Sequence, residues 1–430
     1  MKERENIFIE PSREQWMKLI QRPSFDHASL ENIVLPILQD VKQNGDMAIK
    51  KYALQFDNIT LNDLKVNEDE IESALLAVED DLKNAISLAK ENISRFHQTQ
   101  IEKVVKTETT AGVTCWRKPV AIQHVGLYIP GGTAPLFSTL LMLAIPAQIA
   151  GCRNITVCTP AGKDGKIHPA ILYTAHLLGL TNIYKIGGVQ AIAAMAYGSE
   201  TVSKVNKIFG PGNQYVTTAK QLINRVGIAI DMPAGPSEVA VFADESAVPA
   251  FIAADLLSQA EHGADSQVVL VATSAVIIHQ VKTEIDQQLA LLSRKNIAAE
   301  ALQNSRFIVI KNVDTAFDFL NEYAAEHLII AADDAESLSA KVINAGSIFL
   351  GNYSPEAAGD YASGTNHTLP TNGYARAYSS VSVDSFVKKI TFQQLSKEGL
   401  NNIGNAVETM AMAEGLDGHK NAITIRLNTL

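Results

Sequence analysis

The chain has 430 residues, is 47% hydrophobic and 19% charged, and carries a formal net charge of −10 with a pI near 5.5. That length and apolar content suffice for two or more domains with buried cores. The acidic balance, without any lysine- or arginine-rich run, argues against nucleic acid and anionic membrane as partners, and no apolar run approaches the roughly 20 residues that span a bilayer. Residues 1–6 are charged and lack an apolar signal core, so the expected compartment is the cytoplasm. Cys115, Cys152 and Cys158 form no CxxC pair and no disulfide framework, in keeping with a reducing compartment. Aldehyde oxidation can run through a thiohemiacetal on a cysteine, with hydride passing to a separate acceptor, but no activating context surrounds these cysteines and they read as small buried thiols.

In chain order, the first hundred residues read as helix, with segments expected over 14–21, 30–56 and 68–98. Asn44-Gly45 marks a break in the second. The third opens on the capping-box spacing Asn67-Glu68-Asp69-Glu70, and Ile71, Leu75, Leu82, Ile86, Leu88, Ile93 and Phe96 then recur at near-helical intervals. From Val113 onward, short β-rich runs alternate with helical segments, the pattern of parallel sheets built from βαβ units. One group of strands is expected at 126–130, 155–159, 182–186 and 207–209. A second is expected at 238–242, 267–272, 306–310, 327–331 and 346–350. Helices fit between them at 135–151, 168–178, 190–197, 216–226, 249–261, 275–292 and 335–344, Pro249 suiting a first helical position.

Two α/β sheets follow, divided at 231–238, where Pro233, Gly235 and Pro236 exclude regular structure. The helix-rich start has too little strand to stand alone, so it is expected to pack on the second sheet with the first sheet inserted. Past Ala375 the pattern returns to helix at 391–399 and 401–414 and ends in a polar, strand-like tail over 424–430. The resulting division is an N-terminal helical segment (1–24), one α/β domain (25–125 and 238–380), an inserted α/β domain (126–237) and a C-terminal helical segment (381–430).

Chemistry-bearing residues gather at the ends of these elements. Gln259 and His262 lie one turn apart at the end of an apolar helix, so a carbonyl oxygen and an imidazole nitrogen can converge on one cation. Taken alone, a Gln and a His at a helix end are as a rule a cap and a surface residue, and other ligands must come from elsewhere. The later chain offers Asp360 and His419. Glycine-bearing turns at 128–132, 187–190 and 210–213 each follow a strand and precede a helix, where backbone N–H groups and the helix dipole can hold a pyrophosphate. None is a G-x-G-x-x-G fingerprint, and tight βα turns explain each one equally well. Glu326-His327 stands where a helix hands over to a strand, a carboxylate and an imidazole that can accept protons from an alcohol or water. The polar loop 351–367 adds Glu356, Asp360 and His367.

With these residues in view the chain resembles the histidinol dehydrogenase family over almost its whole length. The motifs that carry the resemblance are 125–132 (VGLYIPGG), 208–213 (IFGPGN), 231–238 (DMPAGPSE), 256–263 (LLSQAEHG), 325–328 (AEHL) and 359–367 (GDYASGTNH). The resemblance implies two incomplete Rossmann-like domains and a zinc- and NAD-dependent oxidation of L-histidinol, through bound L-histidinal, to L-histidine. It places zinc on Gln259, His262, Asp360 and His419, the NAD contacts on Tyr128, Gln190 and Asn213, and the proton acceptors on Glu326 and His327. Substrate contacts fall on Ser237, His327, Glu356, His367 and Glu414, beside the zinc-bound groups. It also implies a homodimer that exchanges the C-terminal segment, so that His419 and Glu414 complete the partner's site. Two other readings remain: a zinc hydrolase acting on an amide, which leaves the glycine turns without a task, and a non-enzymatic nucleotide-binding protein, which does not require Glu326-His327 beside a metal.

Overall fold

The computed structural model describes residues 6–23, 27–131, 134–233 and 235–430. Gly132 of the first glycine turn, Ala234 of the divide at 231–238 and residues 1–5 of the charged start lie outside the described residues. The chain opens with β1 (Ile7–Ile9), α1 (Arg13–Leu19), α2 (His27–Tyr52), α3 (Glu68–Ala77), α4 (Asp80–Gln98), β2 (Lys106–Thr110) and β3 (Val113–Ala121). A first βα run follows: β4 (His124–Tyr128), α5 (Phe137–Ala150), β5 (Asn154–Thr159), α6 (Pro169–Leu177), β6 (Asn182–Lys185), α7 (Gly188–Tyr197), β7 (Lys207–Phe209), α8 (Gln214–Asn224) and β8 (Ala229–Ile230). The second run comprises β9 (Glu238–Ala243), α9 (Pro249–Ala260), β10 (Gln267–Ala272), α10 (Ala275–Leu289), α11 (Lys295–Gln303), β11 (Arg306–Val309), α12 (Val313–Tyr323), β12 (His327–Ala331), α13 (Ala335–Ser339), β13 (Ser347–Leu350) and α14 (Glu356–Tyr361). The chain closes with β14 (Val387–Leu395), α15 (Lys397–Ala413) and α16 (Asp417–Leu427).

The strands form two parallel sheets, ordered β6-β5-β4-β7-β8 and β1-β11-β10-β9-β12-β13. β9 and β10, Glu-Val-Ala-Val-Phe-Ala and Gln-Val-Val-Leu-Val-Ala, are buried throughout, the continuous apolar run of a parallel strand covered on both faces. All strands of the five-stranded sheet fall in the chain between β1 and β9, which belong to the six-stranded sheet. The α/β class and its paired parallel sheets therefore match the expectation. No helix among the described residues is long and apolar enough to cross a membrane.

Several expectations need correction. The helices of residues 27–98 pack on the five-stranded sheet, where Val34, Leu38 and Ile49 join the core with Ile192 and Ile223, and Ile86 and Ile93 join Leu140 and Ile145. Only β1 and α1 go with the six-stranded sheet, β1 pairing with β11 and Trp16 stacking edge-on against Phe319. The single helix expected over 68–98 is two, because Val78 is extended at φ −83°, ψ 129° and Glu79 starts a new helix. In α2, Gly45 does break the helical path, at φ 49° and ψ −131°.

The C-terminal segment differs most. Residues 387–395 form a strand, where a helix was expected from 391, and 417–427 are helical, where a strand-like tail was expected. β14 pairs antiparallel along the whole of β3, which pairs in turn with β2, so a third sheet stands apart from the two parallel ones. Helix α11 and strand β1 were not anticipated, and the loop expected over 351–367 contains the short helix α14.

A short turn at Val383–Phe386 anchors the root of that segment. Phe386 is fully buried, its ring stacks on Phe209 of β7 with centroids 4.0 Å apart, and its carbonyl accepts the Ile122 N–H at 2.9 Å. Phe386→Ala is expected to cost about 3–5 kcal/mol, as for a large aromatic cut out of a core that cannot collapse around it. Urea unfolding of the two proteins checks this, and a loss below about 1 kcal/mol would mean that the segment is anchored elsewhere.

Candidate functional site

In the five-stranded sheet, β4 has β5 on one side and β7 on the other, so the chain reverses its direction of travel across the sheet between β4 and β7. Such a switch point opens a crevice at the carboxyl ends of the strands. A cavity of about 620 Å³ lies there, lined by Tyr128, Gly188, Gln190 and Asn213 and closed from the side of α2 by Ile33 and Phe56. The three residues expected to contact a dinucleotide are thus brought together. Asn213 is also the N-cap of α8, its side-chain oxygen accepting the N–H groups of Tyr215 and Val216 at 3.1 Å. The Tyr128 hydroxyl accepts the Gly188 N–H at 3.0 Å and stays protonated, burial pushing its pKa up to about 12. Gln190 Oε1 is buried with no hydrogen-bond partner among the described residues, an acceptor left for a ligand.

The turn after β7 depends on a buried ion pair. Asp231 accepts from Gly210 N–H and Met232 N–H, each at 2.8 Å, and pairs with Lys220 of α8, which donates to the Gly210 carbonyl at 2.8 Å. Gly210 itself has φ +123°, and a Cβ there would stand 2.0 Å from the Tyr128 carbonyl oxygen.

The second cluster stands at the amino ends of β9 and β12 in the six-stranded sheet, which the carboxyl-side rule does not anticipate. Helix α9 runs back from the carboxyl end of β9 to the amino ends of the strands and delivers Gln259 and His262. The α12-to-β12 junction delivers Glu326 and His327, and α14 places Glu356 and Asp360 one turn apart. His327 is buried, with Nδ1 3.7 Å from Glu326 Oε2 and 3.8 Å from Glu356 Oε1, and Nε2 3.6 Å from Asp360 Oδ1. Donor atoms of His262, Glu356 and Asp360 lie within 4.8 Å of one another.

The electrostatics follow from crowding. Burial alone would lower the His327 pKa, but the Glu356, Glu326 and Asp360 carboxylates outweigh it and raise it to about 10. Burial pushes Glu326 up to about 7 and Glu356 well above the carboxylate range. Burial also works to raise Asp360, but the His327 ring beside it holds that acid below its usual value. Burial lowers His367, and the protein packed around His262, whose ring still reaches the surface, lowers it too, favouring the neutral imidazole that a metal ligand requires. The same force raises Asp255 on α9 to about 7 and Cys152 to about 11, so Cys152 stays a thiol.

The family profile of histidinol dehydrogenase matches residues 20–427. The chain is 58% identical over 420 residues to histidinol dehydrogenase of Bacteroides thetaiotaomicron, covering 98% of each, and 50% identical to that of Yersinia pestis, covering 97% of this chain and 94% of that one. A crystal structure of histidinol dehydrogenase from Elizabethkingia anophelis superposes with a TM-score of 0.97 at 56% identity over 98% of both chains. The chain belongs to the histidinol dehydrogenase family.

Of the residues that a histidinol dehydrogenase is expected to use, Gln259, His262, Glu326, His327, Glu356 and Asp360 converge, and Ser237 is half-buried directly before Glu238. His367 joins through its ring: Nδ1 donates to the Asp360 carbonyl at 2.8 Å and Nε2 faces Thr139 Oγ1 at 3.1 Å, so both nitrogens are engaged within the chain. Glu414 and His419 do not reach the cluster of their own chain. Both are exposed, in or beside the α15–α16 pair that packs on itself and on β2 and β14. His262 is exposed as well, so its side of the cluster opens outward.

Sequence reasoning missed Arg22, Glu238, Thr139 and the Lys220–Asp231 pair as parts of this site. Arg22, Glu238 and Thr139 act through partners far off in sequence, whereas Lys220 and Asp231 pair with each other at the 210 turn; the local sign was Glu238, a charge in a buried-strand position.

The constraint at Gly210 predicts a contrast. Gly210→Ala is expected to lose about 3 kcal/mol or more, because both the φ and the backbone contact forbid a side chain, whereas Gly227→Ala should lose only about 1–2 kcal/mol. Gly227 has φ +94° but nothing within 4 Å of its would-be Cβ. Equal losses in urea unfolding would contradict the close approach of the 210 turn to Tyr128.

Proposed function

We propose that this chain catalyses the four-electron oxidation of L-histidinol, through bound L-histidinal, to L-histidine with two NAD, the last steps of L-histidine biosynthesis. The carrying observation is the convergence of Gln259, His262, Glu326, His327, Glu356 and Asp360 from three parts of the chain, beside a separate cleft lined by Tyr128, Gln190 and Asn213. Membership of the family supports the same reading. We place the reaction in the cytoplasm of the cell and in a homodimer whose 381–430 segments are exchanged. The exposed His262 and the exposed His419 and Glu414 suit that exchange, in which the partner's His419 closes the ligand set.

The residues fit a zinc ion. Turned one way, the Gln259 amide nitrogen donates to Glu356 Oε1 and its oxygen accepts the Glu238 N–H at 2.9 Å; turned the other way, its oxygen opposes the Glu356 oxygen. In that second orientation the crowded oxygens would suit a nearby positive charge. Glu356 Oε2 and His327 Nε2 are buried without a hydrogen-bond partner among the described residues, and nitrogen and oxygen donors of this kind suit zinc. Gln259, His262 and Asp360 would hold it, with the partner's His419. When bound, zinc supplies positive charge that orients and deprotonates the nitrogen donors of the substrate.

The chain's own groups then carry the protons. With added positive charge in the cluster, His327 no longer has to compensate three acids, and its imidazole takes the alcohol proton as the first hydride passes to NAD. This step turns the CH2OH group into an aldehyde and yields one NADH and one proton. Glu326, with one oxygen fixed by the Glu238 N–H at 3.0 Å, accepts a proton from the water that attacks the aldehyde. The second hydride then leaves for a second NAD and the carboxylate forms. Glu356 and the partner's Glu414 pair with the polar groups of the substrate.

Purified protein with L-histidinol, zinc and excess NAD is expected to form two NADH per histidinol; absence of NADH removes the reading. Glu326→Gln should slow oxidation of added L-histidinal about 10²- to 10⁴-fold and oxidation of histidinol to histidinal much less. Equal losses in both half-reactions refute that division of roles.

A further inference from the structure

Arg22 lies in the short segment between α1 and α2, more than two hundred residues from every group in the cluster, and its side chain is 9% exposed. Nε donates to Glu238 Oε2 at 2.8 Å and Nη2 to Glu238 Oε1 at 3.0 Å, the paired fork that only a guanidinium makes. Nη2 also donates to the Tyr323 carbonyl, and the guanidinium carbon sits 3.8 Å from the centre of the Tyr323 ring. Nη1 donates to the Ile20 carbonyl at 3.1 Å, which fixes the arginine to its own segment. Glu238 therefore gives its whole carboxylate to Arg22 and its backbone to the cluster. Its N–H donates to Glu326 Oε2 at 3.0 Å, and its carbonyl lies 3.4 Å from His327 Nδ1.

Tyr323 completes the geometry. It ends α12, the chain turns at Ala324 with φ +53°, and Glu326-His327 follow within three residues. Its hydroxyl donates to Gln267 Oε1 at 2.9 Å, on the strand next to β9. One guanidinium thus grips both the start of β9 and the turn that presents the two proton-handling residues. A buried ion pair is weak grounds for stability, since two well-packed apolar groups serve as well. Holding two backbone segments in a fixed relation is a task that apolar groups do not perform.

We propose that Arg22 is a positioning residue for this site: by bridging the Glu238 carboxylate and the Tyr323 carbonyl, it holds the Glu238 peptide where that peptide orients Glu326 and His327. The inference rests on the roles given to those two residues under the proposed function. Small displacements at a reacting centre cost turnover far more than they cost binding. The effect belongs in kcat, while KM for L-histidinol and for NAD stays near the wild-type value, because Arg22 itself touches none of the residues expected to hold either molecule and acts on His327 only through the Glu238 peptide.

The test compares wild type, Arg22→Lys and the double variant Arg22→Met with Glu238→Gln, each assayed well below its own melting temperature with zinc, L-histidinol and NAD. Arg22→Lys keeps the charge but cannot make the fork and the carbonyl bond together, and its kcat is expected to fall about 10- to 100-fold with both KM values within about twofold. The double variant removes both buried charges, so it should melt close to wild type and still turn over slowly. Wild-type kcat in Arg22→Lys, or a double variant that recovers kcat along with its melting temperature, overturns the proposal and leaves the proposed function standing. No turnover by wild type removes that function and this inference with it.

Discussion

One buried imidazole faces three carboxylates, and the site is built around that imbalance. His327 has Glu326, Glu356 and Asp360 within 3.8 Å, and all of them sit where water cannot screen them. One positive charge cannot satisfy three negative ones, so two of the acids are pushed upward and the imidazole holds its proton far above its usual range. A divalent cation resolves the conflict without protons. The same crowding is what the proposed zinc site, and a substrate bringing its own amine and imidazole, would relieve.

The fold supplies this cluster from opposite ends of its sheets. The cleft for a dinucleotide opens at the carboxyl ends of one parallel sheet, and the charged cluster stands at the amino ends of the other. Helix α5 joins the two. It begins a few residues after Tyr128, which lines the cleft, and its Thr139 meets the ring of His367, whose other nitrogen holds the Asp360 carbonyl. Hydride transfer would need two such regions brought to one place, and α5, buried over residues 138–147, supplies a mechanical link between them.

What could be read from the chain was what is local. The runs at 239–243 and 268–272 are apolar without interruption, and Gln259 with His262 has helical spacing that needs no knowledge of the fold, whereas Glu356 and Asp360 fall in a stretch that reads as a loop and lie on a short helix. What could not be read depends on distant partners. Residues 387–395, Val-Lys-Lys-Ile-Thr-Phe-Gln-Gln-Leu, carry no turn signal and little alternation, and become a strand because β3, some 270 residues earlier, offers a free edge. Helices 27–98 have apolar faces that either sheet could cover, and only the packing of Val34, Ile49 and Ile93 shows which one does. Arg22 escaped notice for the same reason: an arginine after a short helix is ordinary until Glu238 is found against it.

The metal content of the protein tests the central claim most directly. Wild type and His262→Ala are each loaded with zinc, freed of excess by gel filtration and analysed for metal and protein. If the acids and His262 form a cation receptor, wild type retains about one zinc per subunit and His262→Ala retains far less, while circular dichroism shows both folded. Zinc at wild-type stoichiometry in folded His262→Ala, or none in wild type, contradicts it.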